Sequence, residues 1–150
     1  MSETNSALER EIGEIRRDPR ALAMKQFIQH GRVTTYDHCL NVARLSSRMS
    51  KRLQSLSIRV DEHSLLRGAM LHDYFLYDWH HHEGRWHGYR HPVIAAQNAK
   101  RDFGLTNKEE AIILTHMWPL TLRHIPLTRE AWIVCLADKW CCARETLTQR

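Results

Sequence analysis

Four side chains able to bind a metal ion or move a proton, His38, Asp73, His116 and Asp138, each fall on or beside the apolar face of a different predicted helix. A fifth, His72, directly precedes Asp73. Each alone fits an ordinary role: a hydrogen-bonded core histidine, or an inward aspartate acting as a helix cap or ion-pair member. Together they are harder to place that way. Several ionisable groups turned into one interior are costly to desolvate unless they pair with one another or with a cation, and a shared metal ion would offset that cost. Neighbouring helical positions project about 100° apart, so His72 and Asp73 reach one centre only if it lies between their directions, near a helix end. Histidine is also abundant, eleven in all with five between His80 and His91. It is the commonest metal ligand and titrates near neutrality, so the excess points to a metal or acid–base site.

The elements that must position these groups read as helices throughout. Apolar residues recur at helical spacing, glycine and proline punctuate them, and no segment alternates convincingly like a strand. A first helix is predicted over about Ala7 to Arg16 and a second over about Ala21 to Gln29, separated by Asp18-Pro19 and stopped at His30-Gly31. A third begins at Thr34 or Thr35, either of which can cap it, and places His38, Val42, Leu45 and Met49 on one face. A fourth opens at Asp61 and carries Leu65, Leu66, Ala69 and Met70 toward His72 and Asp73 near its end. The stretch Tyr77 to Arg90, with two glycines, four histidines and four aromatics, reads as a loop. His91-Pro92 starts a fifth helix terminated by Gly104. Thr106 and Glu109 form a capping-box signature for a sixth, in which Ile112, Ile113 and His116 share a face before Pro119. A seventh, Thr128 to about Leu147, turns Ala131, Val134, Cys135 and Asp138 inward. The expected fold is therefore an all-α single-domain bundle of about six or seven helices, with residues 1–33 a helical segment packing on a domain formed by residues 34–150.

Composition narrows the function classes. At 150 residues, 43% hydrophobic and 26% charged, the chain is in the range of one globular domain. No apolar run approaches the roughly 18 residues needed to span a bilayer, and the polar N-terminus is unlike a signal peptide, so no membrane partner and a cytoplasmic location are expected. Cys39, Cys135, Cys141 and Cys142 contain no C-x-x-C pair and are expected to be reduced thiols, mostly buried. The net charge of +5 favours anionic partners such as phosphates or nucleotides. The basic residues are scattered rather than gathered into a tract, which argues against nucleic acid.

The ordered set His38, then His72-Asp73 within LLRGAMLHDYF, then Asp138 within VCLADKW resembles the HD superfamily of metal-dependent phosphohydrolases. The likeness runs from about Thr35 to Arg144. YDHCLNVARLSSRM looks like that family's first ligand helix, and LADKWCCARE like its last. The resemblance implies a metal site of His38, His72, Asp73 and Asp138. Some members complete a two-metal site with two further histidines between the HD pair and the last Asp, and His91 and His116 occupy corresponding places. A helix cap is the other reading of His91, and a core residue that of His116. One or two divalent transition-metal ions are implied, with manganese, iron, cobalt, nickel and zinc all compatible with such ligands. Asp73 would bind or bridge the metal and align a water whose pKa the metal lowers, and the substrate would be a small phosphoester, a nucleotide among the candidates. Asp78, His80, His81 or His82 could protonate the leaving oxygen. Arg32, Lys139 and Arg144 are candidate phosphate-binding residues, with a solvated surface role as the alternative for each.

The chain also departs from that pattern. Many members carry a charged residue shortly after the HD pair, where this chain has Tyr74, Phe75 and Leu76. Trp79, Trp86 and Tyr89 could instead wall a pocket and stack on a base, or simply pack. Two further readings follow from the resemblance: a non-catalytic HD module that binds metal or ligand for regulation, supported by the missing charged residue, and an HD-type di-iron oxygenase.

Overall fold

The computed structural model describes residues 2–75 and 86–148. Helix α1 (Glu3–Arg17) is capped by Ser2, and α2 (Pro19–Leu22) by Asp18, whose carboxylate accepts the Arg20 N–H. A 3-10 turn over Ala23–Gln26 leads into β1 (Ile28–His30) and β2 (Val33–Thr34). Then come α3 (Thr35–Ser55), α4 (Glu62–Leu71), α5 (His87–Phe103), α6 (Asn107–Thr115) and α7 (Arg129–Leu147). The architecture is an all-α bundle, as the hydrophobic spacing predicts.

The start signals act as their chemistry requires. Thr34, Asp61 and Thr128 each accept the backbone N–H three residues on, which satisfies one of the donors that a helix leaves open at its N-terminus. Thr106 and Glu109 close a reciprocal capping box on α6. Glu109 is buried and also receives Arg67 at 3.1 Å, tying the start of α6 to α4.

Helix α4 is the axis of the molecule. It packs against α1, α3, α6 and α7, and Leu65, Leu66, Ala69, Met70 and Leu71 are all fully buried, as expected of a helix with neighbours on every side. The stripe Leu8, Ile12 and Ile15 of α1 joins the same core. Close approach of α4 to α6 depends on Gly68: a Cβ there would lie 2.6 Å from Ile112 Cγ2 and 3.0 Å from its Cβ. These two helices end at His72 and His116, so their spacing sets the distance between two side chains of the site.

Two expectations are corrected. The helix expected over Ala21 to Gln29 is replaced by a short helix, a 3-10 turn and an antiparallel pair, Ile28 opposite Thr34 and His30 opposite Val33. Gly31 makes the reversal at φ +57°, a conformation that costs glycine little. Thr35 N–H also bonds to the Phe27 carbonyl at 2.8 Å, so the chain returns directly onto α3. The fifth helix opens at His87, not at His91-Pro92. Pro92 therefore falls in its second turn, where a ring nitrogen without N–H leaves the Gly88 carbonyl unbonded by the helix. The helix ends as expected at Gly104, φ +63°. No described helix is long and apolar enough to cross a membrane, and the four cysteines are free thiols.

Gly68→Ala is expected to destabilise the fold by about 1–3 kcal/mol through overpacking against Ile112. Chemical denaturation would measure it. A variant as stable as the parent would show that the α4–α6 contact relaxes freely.

Candidate metal centre

Five helices, two of them through their C-terminal ends, deliver six ionisable side chains to one buried point. His38 comes from the second turn of α3, His72 is the last residue of the α4 turn and Asp73 follows it, His91 lies in α5, His116 caps α6 and Asp138 lies mid-way along α7. His38, His72 and His116 are fully buried, and Asp73, Asp138 and His91 are at most 5% exposed. The helix ends explain the adjacency of His72 and Asp73: past Leu71 the chain turns, and the two side chains swing to the same side.

Each imidazole is held by its far nitrogen. Nδ1 of His72 donates to the Ala69 carbonyl at 2.7 Å, that of His91 to the His87 carbonyl at 2.9 Å, and that of His116 to the Ile113 carbonyl at 2.6 Å. Nδ1 of His38 donates to Glu145 Oε2 at 2.7 Å. With Nδ1 committed, the neutral tautomer leaves a lone pair on Nε2, and all four Nε2 atoms face the carboxylates of Asp73 and Asp138.

The two oxygens of Asp73 divide these partners. Oδ2 lies 3.4 Å from His72 Nε2 and 3.7 Å from His38 Nε2, while Oδ1 lies 3.2 Å from His91 Nε2 and 3.3 Å from His116 Nε2. Asp138 Oδ1 completes the first group, 3.0 Å from His38 Nε2 and 3.4 Å from His72 Nε2. Donor atoms about 2.0–2.2 Å from one ion lie roughly 3–3.6 Å from each other, so both groups have the spacing of a coordination shell. His38, His72, Asp73 and Asp138 form one set that could hold a metal ion, and Asp73, His91 and His116 a second. Two atoms inside the cluster, His72 Nε2 and Asp73 Oδ1, are buried and make no hydrogen bond. Orphaned lone pairs at such depth fit a cation better than they fit a closed hydrogen-bond network.

Electrostatics agree with that reading. Burial pushes the His38 and His72 imidazoles toward neutrality, but Asp138 and Glu145 beside His38, and Asp73 and Asp138 beside His72, outweigh it and hold both well above the usual histidine range. Burial likewise opposes ionisation of Asp73 and Asp138. The histidines around them win, and both carboxyls sit well below the ordinary aspartate range. His116 goes the other way, lowered chiefly by its burial. The carboxylates are thus negative at neutral pH and need positive charge in contact, from imidazolium or from a metal.

Several neighbours escaped the sequence reading. Glu145 is buried, accepts from His38, and receives Asn41 Nδ2 at 3.0 Å. It lies seven residues after Asp138, two turns along the same face of α7, so its spacing was a usable signal. Gln29 Nε2 donates to Asp73 Oδ2 at 2.8 Å from β1, a position hidden while that segment read as helix. His87 stacks on His91, ring centroids 4.6 Å apart, at the i−4 spacing that the loop reading concealed. His30 and Cys142 also stand beside the cluster, with His30 Nε2 3.2 Å from Cys142 Sγ. Burial pushes the Cys142 thiol up to about 11.

A cavity of about 190 Å³ opens onto the cluster, its wall including Asp73, His91, His116, Asp138, His87 and Cys142. A groove of about 540 Å³ shares Met117, Asp138 and Cys142 with it and adds Leu120 and Lys139. The ammonium of Lys139 donates to the His116 carbonyl at 3.1 Å and to Cys135 Sγ at 3.2 Å. The structure does not bring Arg32 or Arg144 to either. Arg32 is exposed in the turn between β1 and β2, and Arg144 lines a separate groove with Trp140 and Leu147. Trp86, which precedes α5, and Tyr89 in its first turn are exposed. Asp78, Trp79, His80, His81 and His82 lie outside the described residues.

These charges predict a pH signature. Raised imidazoles stabilise the ion-free fold fully below the unfolded histidine value of 6.5 and lose that contribution as pH rises through their folded values. The depressed carboxyls stabilise it above 3.8 and lose that contribution as pH falls. Chelator-treated protein should therefore lose Tm as pH climbs above 6.5. Zinc or cobalt displaces the imidazole protons, so the Tm gained on adding ion should grow between about pH 6 and about pH 8. A gain that shrinks over that interval contradicts the assignment of charge.

A family model described as HD domain matches residues 35–141, from the first residue of α3 to the second half of α7. No curated protein and no solved structure matches the chain. The matched span contains His38, the adjacent pair His72-Asp73 and Asp138, the residues whose donor atoms meet in the core, and the chain belongs to the HD domain family.

Proposed function

We propose that this protein is a metal-dependent phosphohydrolase acting on a small phosphoester, with a nucleotide among its candidate substrates, and that it holds two divalent transition-metal ions through one shared carboxylate. The observation that carries the reading is Asp73, with one oxygen facing His38 and His72 and the other facing His91 and His116. A carboxylate so divided suits a bridge between two ions. Bound metal would supply a hydroxide at neutral pH and neutralise charge on the phosphoryl oxygens. Membership of a family that is generally hydrolytic supports the same class of reaction.

The chain's own groups account for the rest. His38, His72, Asp73 and Asp138 would hold the first ion, and Asp73, His91 and His116 the second. Fixed Nδ1 bonds keep every Nε2 aimed inward, so little reorganisation is needed when ligand enters. Gln29 holds the Asp73 carboxylate in place. The 190 Å³ cavity accommodates a phosphoryl group, and the apolar groove beside it would take the remainder of the substrate. Lys139 is the phosphate contact favoured by position; Arg32 and Arg144 would need a substrate that extends well beyond the groove. Asp78 is proposed as proton donor on chemistry alone.

A second reading, a non-catalytic HD module, rests on Tyr74 and Phe75. Both are fully buried, and Tyr74 spends its hydroxyl on Asp102 at 2.8 Å, so neither offers the charged group found there in many relatives.

A hydrolysis screen of nucleotides and simple phosphomonoesters in manganese, cobalt or nickel separates the two. The phosphohydrolase reading expects turnover that His72→Ala abolishes. Lys139→Ala should raise KM about tenfold with kcat little changed, the loss of one charge-assisted contact. Metal-loaded protein inert toward every phosphoester would favour the second reading, and activity retained in His72→Ala would reject the first.

A further inference from the structure

Two side chains beside the cluster have no part in the chemistry above, and they are of a type that ligates metal. Cys142 follows Asp138 by four residues on α7, so the two lie one turn apart on one face, with Sγ 3.4 Å from Asp138 Oδ1. On the other flank, His30 reaches in from β1, its Nε2 3.2 Å from Sγ and its ring edge-on to His38 at 5.5 Å between centroids. His30, His38 and Cys142 offer ligand atoms within 4.8 Å of one another, a third group of the same kind as the two described. Its one member in common with them is His38. Because the Nε2 of His38 cannot serve two ions at once, the third group is not a third centre but an extension of the first.

Distances agree with this geometry. An imidazole or carboxylate about 2.1 Å from an ion and a thiolate about 2.3 Å from it stand roughly 3–3.6 Å apart as neighbours in a five-ligand shell, and Sγ lies 3.4 Å from Asp138 Oδ1. His72 Nε2, fully buried and without a hydrogen bond, faces the same Asp138 Oδ1 at 3.4 Å. Cys142 also lines the cavity, so its sulfur faces the open side of the cluster and not the packed core. We propose that Cys142 is a thiolate ligand of the ion held by His38, His72, Asp73 and Asp138. The centre would then be a mixed imidazole, carboxylate and thiolate site, selective for thiophilic ions such as zinc, cobalt or cadmium over manganese or magnesium. Coordination breaks the S–H bond, the proton leaves to solvent, and the sulfur lone pair forms the bond to the ion. This rests on the metal reading of the cluster, and its test separates the two.

Cobalt(II) added to chelator-treated protein supplies the readout without reference to activity. Ligand-field bands in the visible report that the ion is bound, and an intense near-ultraviolet sulfur-to-cobalt charge-transfer band reports a thiolate in its shell. The proposal expects both in the parent protein. Cys142→Ser should lose the charge-transfer band, keep the visible bands and weaken cobalt affinity by about tenfold or more, whereas Cys135→Ser should change neither. If Cys142→Ser fails to fold, alkylation of the parent protein followed by peptide mass analysis gives the same answer: bound zinc should protect Cys142 but leave the other cysteines as reactive as before. Visible bands without the charge-transfer band, or Cys142 alkylated equally with and without zinc, would reject the thiolate ligand and leave the cluster's metal reading intact. Failure to bind cobalt at all would reject both.

Discussion

The structure is governed by the cost of keeping two aspartates charged inside a helical core. Asp73 and Asp138 are almost wholly buried, and an isolated carboxylate at that depth would neutralise or disrupt the packing. Here each is surrounded by imidazoles on separate helices, so the ends of α4 and α6, the N-terminal parts of α3 and α5 and the middle of α7 must meet at one point. Gly68 lets α4 and α6 come that close, and the Thr106 and Glu109 capping box with Arg67 fixes where α6 begins. Packing and site are therefore one design. The hydrophobic faces bring the helices together, and the polar residues at their ends decide how near they come.

Orientation is set a layer further out. None of the four histidines depends on its neighbours in the cluster alone: three donate Nδ1 to backbone carbonyls within three or four residues, and the fourth donates to Glu145. Local bonds of this sort follow from the helix geometry at no cost in long-range order. The Glu145 bond is different, because it ties α3 to α7 across more than one hundred residues and keeps a charge in place beside His38. Gln29 does the same for Asp73 from the small hairpin. The hairpin thus belongs to the site as well as to the entrance, since His30 lies on it beside Cys142.

Most of the bundle could be read from the sequence because its signals were local and redundant. Caps at Thr34, Asp61, Thr106 and Thr128 and the terminator Gly104 each state a boundary within a few residues, and apolar spacing identified the buried faces of His38 and Asp138. The family-bearing residues were legible for the same reason. What escaped depended on geometry across the fold. Residues 28–34 carry too few alternating positions to outvote a helical pattern, and the hairpin rests on the pairing of Ile28 with Thr34 and His30 with Val33 and on the return of Thr35 onto Phe27. His87 is hidden because the stretch Tyr77 to Arg90, with two glycines and no clean helical period, reads as a loop, whereas the helix opens at His87. Arg32 and Arg144 have the right charge, but the turn between β1 and β2 and the outer face of α7 carry them away from the cavity.

The central claim is that Asp73 is shared between two ions, and elemental analysis of untagged protein purified without chelator tests it most directly, with His91→Ala and Asp73→Ala measured alongside. The account predicts two metals per chain in the parent, one in His91→Ala and none firmly retained in Asp73→Ala. No metal in the parent under any loading condition, or unchanged stoichiometry in Asp73→Ala, would contradict it.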